Sequence, residues 1–338
     1  MDSLTQAGLG AAVGEAVLGK KVGNKAAAWG AVAGTLPDLD VLLNLILNDI
    51  DQLVFHRSIT HSFVFAMVLS PVLGKLIFRF YRDGPATWRD WSWLSFAVLF
   101  THPLLDCFTT YGTQIFQPFS NYPVSFSSIF IIDPLYTLPL IAGLFLALRR
   151  HPRASKRRRA NYLGLSLSCL YLLLSVVIKI HVTSVFTEAL GQQGLAYERI
   201  ATRPTPLNTL LWIAHADNGA GYWIGHYSLL DGDQPIVFQH IDNNKHLLDG
   251  LRDHPDVQRL LWFSRGYFTV QRKDSVLVFN DIRFGRSDSW LGDEGAFLFS
   301  FHILRDPADT MRVSAIEQIP LNLDGNAWRP LFERIGGR

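Results

Sequence analysis

Apolar runs of membrane-spanning length recur through residues 1–181 of this chain and then stop. A helix needs about 20 apolar residues to cross a hydrocarbon core of about 30 Å. Inside a bilayer every backbone N–H and C=O must be satisfied within its own element, so these runs can fold there only as helices. They cover residues 4–18, 26–47, 62–81, 91–108, 129–148 and 162–181. Pro37 divides the second into two half-helices. Gly10-x-x-x-Gly14 and Gly30-x-x-x-Gly34 would let the first two run close together.

Beyond residue 181 the composition turns to charges, turn residues and scattered aromatics. Strand-like runs lie at 221–229, 235–240, 267–270, 275–279 and 296–303, with a helical stretch near 245–261. Arg203-Pro204-Thr205-Pro206 reads as an extended approach to them. The expected fold class is an α-helical multi-span membrane domain over residues 1–181, followed by an α+β soluble domain with an antiparallel sheet over residues 182–338.

The loop charges alternate. Lys20, Lys21 and Lys25, then Arg79, Arg82 and Arg89, then the basic run 149–159 occupy every second connection, whereas connections 48–61 and 109–128 carry Arg57 as their one Lys or Arg. The positive-inside rule places the basic connections in the cytoplasm and the soluble domain outside it. The chain is expected to cross its membrane several times. A formal net charge of +2 gives no reason to invoke nucleic acid, and Cys107 and Cys169 alone support neither a disulfide framework nor a thiolate zinc site.

Three polar clusters interrupt the apolar runs: Pro37-Asp38-Leu39-Asp40, His56-Arg57-Ser58-Ile59-Thr60-His61-Ser62 and His102-Pro103-Leu104-Leu105-Asp106. An ionised carboxylate deep in a helix costs about 2.5–3.5 kcal/mol on insertion scales. Asp38, Asp40, Asp106 and Asp133 together would approach ~10 kcal/mol, which a bound divalent metal can offset by a similar amount. His102 and Asp106 stand four apart and share a helix face. The expected metal ligands are Asp38, Asp40, His61, His102 and Asp106, with Arg57 holding an anionic group and His56 or a spare carboxylate handling protons. Such a donor set suits zinc or manganese. No His-Glu-x-x-His, Gly-x-Ser-x-Gly or Walker motif is present.

In their order these clusters resemble the YdjM family of inner-membrane-associated metal-dependent hydrolases, also labelled LexA-binding. The matching residues are Met1-Asp2-Ser3-Leu4-Thr5-Gln6-Ala7, Gly14-Glu15-Ala16, Pro37-Asp38-Leu39-Asp40, the His56–Ser62 cluster, His102 with Leu105-Asp106, Tyr111-Gly112-Thr113, Pro118-Phe119-Ser120 and Ile132-Asp133-Pro134-Leu135-Tyr136. The resemblance implies a multi-span membrane hydrolase with a metal, and names no substrate.

Two functions follow as expectations. One is a metal-dependent hydrolase with its site near the outer leaflet, acting on a phosphoester or another anionic, lipid-linked substrate. The other is a non-enzymatic membrane protein with a structural metal site or ion pathway and a soluble domain that recruits a protein partner.

Overall fold

Residues 1–274, 276–286, 296–306, 312–320 and 328–337 are described by a computed structural model of the chain. The first half is helical, and the second forms two antiparallel sheets. Two compact units emerge, and the division is not a single cut. The first comprises Met1–Leu43, Phe55–Ile178 and Pro206–Thr209, and the second Asn44–Val54, Lys179–Thr205 and Leu210–Arg338.

The helical unit begins with α1 (Ser3–Val22) and α2 (Asn24–Thr35). Asp2 caps the first, accepting from the Thr5 amide. The two helices meet through their glycines: a Cβ on Gly10 would lie 3.0 Å from Gly34 Cα, and one on Gly14 3.0 Å from Gly30 Cα. Only hydrogen at these positions allows that approach. After a 43° bend, Pro37–Leu45 continues as a 3-10 helix, so the proline does divide the run.

Next in chain order comes α3 (Asp49–Phe55), which belongs to the second unit up to Val54, and then, in the helical unit, α4 (Phe63–Phe80), α5 (Trp88–Asp106) and α6 (Pro134–Leu148). Ser62 caps α4 through the Phe65 amide, and Thr87 with Asp90 forms a capping box on α5. Asp133 caps α6, accepting from the Leu135 amide at 3.0 Å, and its other oxygen takes the Tyr171 hydroxyl at 2.8 Å. Its burial therefore has a local explanation. The last helix of the half, α7 (Ser155–Gln192), is longer than expected at both ends: it takes in much of the basic run and continues past residue 181.

Helices α4 and α7 are long and apolar enough to cross a membrane, and the bent α2 pair makes a third if counted as one span. At 15 residues α6 is short for a span.

Arg157 is 1% exposed and grips Glu15 with two hydrogen bonds of 2.6 Å, while its third nitrogen reaches Asn24 and the Arg150 carbonyl. One member of the basic run is thus an internal tie between α1 and α7.

In the second unit, β1 (Arg199–Pro204), β2 (Leu211–Asp217), β3 (Gly221–Ser228) and β4 (Phe238–Asp242) form one sheet in chain order. Helix α8 (Pro255–Ser264) leads to the other sheet: β5 (Phe268–Lys273), β6 (Val276–Arg286), β7 (Phe297–Arg305) and β8 (Val313–Gln318). α9 (Trp328–Ile335) follows. Tyr222 and Ile224 of the first sheet share a core with Tyr267, Ile282 and Phe297.

The expected strands at 221–229, 235–240, 267–270, 275–279 and 296–303 correspond to β3 to β7, although Ser275 lies outside the described residues. The expected single sheet is two. The stretch 245–261 is only partly helical, a 3-10 turn at Lys245–Leu248 followed by the start of α8. β1 ends within the expected extended approach, at Arg203-Pro204, and β2 and β8 are additional.

Candidate metal centre

The close crossing of α1 and α2 brings the Gly34 carbonyl within reach of α5, where His102 Nδ1 donates to it at 2.7 Å. A carbonyl only accepts, so Nδ1 holds the proton and Nε2 of a neutral ring carries a lone pair. His61, in the turn Ile59–His61 before α4, is set similarly. The Thr60 hydroxyl donates to Asp40 Oδ2 at 3.3 Å and takes His61 Nδ1 at 3.0 Å, leaving His61 Nε2 as the second lone pair.

These two nitrogens face each other at 3.2 Å. Two lone pairs at that distance repel unless a cation or proton lies between them. Asp38 Oδ1 stands 3.3 Å from His61 Nε2 and 3.4 Å from His102 Nε2. Asp106 Oδ2 stands 3.4 and 3.5 Å from the same atoms. Donor atoms bound at about 2.0–2.2 Å to one ion are about 3.3–3.6 Å from their neighbours in tetrahedral geometry and about 2.8–3.1 Å in octahedral geometry, so the separations here lie close to the tetrahedral range. Asp38, His61, His102 and Asp106 each offer one atom to a group lying wholly within 4.8 Å, and all but Asp38 are buried. Among the described residues, Asp106 Oδ2 and Asp38 Oδ2 are buried and find no hydrogen-bond partner. Orphaned carboxylate oxygens and opposed imidazole lone pairs are what a divalent cation would satisfy, so the residues fit one.

The surrounding residues hold this arrangement. Asp106 Oδ1, the oxygen turned away from the imidazoles, receives Gln6 Nε2 at 3.1 Å, lies 3.4 Å from Arg57 Nη2 and contacts the Met1 amino group. Gln6 also donates to the His102 carbonyl at 3.2 Å, bridging α1 to α5. Pro103 sits inside α5 without separating His102 from Asp106.

Asp40, expected as a ligand, lies outside the group of four. Its Oδ2 takes the Arg57 amide at 2.9 Å and its Oδ1 faces His56 Nδ1 at 3.0 Å. Residues two apart on a 3-10 helix point to different sides, so Asp38 addresses the imidazoles while Asp40 anchors the turn behind them.

Arg57 has a φ of 58°, a left-handed conformation that costs a bulky residue about 1–3 kcal/mol. In that turn its guanidinium is buried at 2% exposure and donates to Thr109 Oγ1 at 2.8 Å, and its buried Nε–H has no acceptor among the described residues. His56 is more open, its side chain 25% exposed and edge-on to Tyr111.

Sequence reasoning alone misses Gln6 as a site neighbour and Thr109 altogether. The first stands in the sequence as a polar residue at the head of an apolar run, within the Met1–Ala7 stretch that carries the resemblance, and the second has no signal.

A bent helical unit with spans of membrane length and a buried His/Asp cluster defines a membrane protein that can bind a metal ion. Residues 1–182 match the family described as YdjM inner membrane protein, and the chain belongs to that family. It is also similar to a Bacillus subtilis (strain 168) protein named uncharacterized protein YfhP, at 32% identity over 151 residues. That similarity covers 43% of this chain and 45% of the relative, so the chain spans less than half of that protein's length. No solved structure matches the chain.

Proposed function

We propose that the helical unit is a membrane-embedded, metal-dependent hydrolase acting on a phosphoester or another anionic, lipid-linked substrate. The observation that carries this reading is the group of four donor atoms from Asp38, His61, His102 and Asp106, within 4.8 Å of one another in otherwise apolar helices. A divalent ion held there would supply a Lewis acid and lower the pKa of a bound water.

The remaining roles belong to the chain itself. His56, fixed through Nδ1 by Asp40 and partly exposed, is placed to take or give a proton. Arg57 offers its spare Nε–H to an anion, while Asp40 and Thr109 hold the turn that carries it. Asp38, the partly exposed member, marks the side from which a substrate would enter.

The proposal extends to topology. Loop charges support a multi-pass arrangement with the basic connections in the cytoplasm, the His/Asp group toward the outer leaflet and the second unit outside. There the second unit would select what reaches the site, or recruit a protein partner. Zinc and manganese both suit the donors.

One observation favours a structural role instead: four protein donors complete a tetrahedral zinc shell and leave no position for water. An ion of higher coordination number keeps positions open. The test is metal analysis of the purified full chain together with phosphate release from a phosphomonoester, a phosphodiester and a lipid-linked phosphate. Turnover that disappears in His61→Ala and in Arg57→Ala supports the hydrolase. A stoichiometrically metal-loaded protein inert toward all three classes, and less heat-stable after chelation, would establish the structural reading.

A further inference from the structure

Helices α6 and α7 cross through a second pair of glycines, where a Cβ on Gly164 would lie 3.0 Å from Gly143 Cα and 2.7 Å from the Pro139 carbonyl. Beside this crossing a crevice of about 400 Å³ is walled by Leu146, Leu163 and Leu167 and rimmed by Arg150, Lys156 and Arg159. On α7 these residues form one stripe at spacings of three and four, cations first and leucines after. From Lys156 to Leu167 the stripe rises about 16 Å, half the ~30 Å hydrocarbon core. It therefore passes from headgroup depth to acyl depth across one leaflet.

Lys156 and Arg159 are exposed, and among the described residues their side chains make no hydrogen bond or ion pair. Arg150 donates one N–H to the Lys156 carbonyl, which keeps its guanidinium at the rim. No acidic residue lines the crevice. The leucines are exposed side chains, Leu163 and Leu167 on the span-length helix α7 and Leu146 on the shorter apolar α6.

We propose that this crevice binds an anionic phospholipid, its phosphate among Arg150, Lys156 and Arg159 and an acyl chain along Leu146, Leu163 and Leu167. A zwitterionic headgroup would bring its own cation toward the rim, and a free phosphate would leave the apolar walls uncovered. The site is separate from the His/Asp group: Arg157, in the same turn of α7, ties to Glu15, nine residues and about 14 Å along α1 from Gln6.

The test uses the full chain in detergent and native mass spectrometry with phosphatidylglycerol, phosphatidylcholine of the same acyl chains, and glycerol phosphate. Phosphatidylglycerol should be retained best. Each interfacial cation contributes about fivefold, so the double variant K156Q/R159Q should weaken its retention roughly 25-fold. Ala142→Trp, which fills the apolar part and keeps the cations, should weaken it as well. Arg158→Gln removes a neighbouring exposed charge that does not line the crevice and should leave retention unchanged. Equal retention of the two phospholipids, or equal loss in R158Q and K156Q/R159Q, would overturn the proposal. So would full displacement by glycerol phosphate together with an inert A142W, which would indicate a phosphate site without a lipid. The thermal unfolding temperature serves as the folding control in every variant.

Discussion

His102 gives its Nδ1 proton to the Gly34 carbonyl at 2.7 Å, and that hydrogen bond turns a nitrogen lone pair toward His61. The glycines that let α1 and α2 touch thus also fix a tautomer on α5. Replacing Gly34 by Val puts a side chain against the Gln6 carbonyl, 2.8 Å from where its Cβ would fall. Overpacking of this kind costs about 1–3 kcal/mol. The expected outcome is a lower melting temperature together with reduced bound metal. A destabilised variant with full metal would uncouple the helix crossing from the cluster.

The four donors differ from the residues that support them. His61→Ala, His102→Ala and Asp106→Ala each remove a donor and should cost most of the bound divalent metal, read by elemental analysis of purified protein. Asp40→Asn keeps all four donors and weakens the hold on His61 through Thr60, so the affinity should fall about 10–100-fold. Arg57→Ala should leave metal content nearly intact, because its guanidinium lies on Asp106 Oδ1, the oxygen turned away from the imidazoles. Unchanged metal in all three alanine variants of the donors would show that the group holds no ion.

The cluster was legible because ionisable residues in apolar sequence are expensive and therefore conspicuous. Asp38, His61, His102 and Asp106 stand out for that reason, and the i, i+4 spacing of the last two survives Pro103. Sequence could not divide Asp38 from Asp40, because a proline break leaves the following turn open and only the 3-10 geometry sends them different ways. Glu15 and Arg157 are 142 positions apart, and nothing local marks either as the other's partner. β2 is buried along its whole length, so it lacks the alternation that exposes a one-sided strand.

The Glu15–Arg157 pair is buried and bidentate, which makes its two single variants and its double variant behave differently. Arg157→Met alone strands a carboxylate inside the helical unit and should cost about 3–5 kcal/mol. The double variant E15L/R157M leaves no unpaired charge and should recover most of that loss in thermal unfolding. Additive losses in the double variant would mean that the two residues do not act as a pair.

The second unit should be acid-sensitive. Burial, together with the nearby Arg203 and His226, pushes the His215 imidazole on β2 well below its ordinary value of about 6.5. The folded state therefore holds the ring neutral while the unfolded chain takes up a proton. Its stability contribution is complete above about pH 6.5 and falls by about 1.4 kcal/mol per pH unit below that. Asp217 adds a second, more acidic step. Burial raises its carboxyl, but the Arg199 hydrogen bonds, the Gly219 amide and Lys245 outweigh that and hold it below the usual value, so its contribution is lost as pH falls through the carboxylate range. Denaturant melts of the full chain between pH 7 and pH 5 should show the first loss, and His215→Gln should flatten it.

Orientation is the remaining prediction. Burial of Arg157 removes one charge from the basic run, yet Arg149, Arg153, Lys156, Arg158 and Arg159 remain exposed in that stretch. With Lys20, Lys21, Lys25, Arg79, Arg82 and Arg89 they keep the charge bias on alternate connections, which the positive-inside rule reads as cytoplasmic. The larger part of the second unit begins at Lys179, inside α7, so on the proposed topology one crossing would separate it from the basic run. Alkaline phosphatase folds only where its disulfides form, so a fusion after residue 338 should be active and one within 150–154 inactive. The reverse pattern would put the second unit in the cytoplasm and move the His/Asp group to the inner leaflet.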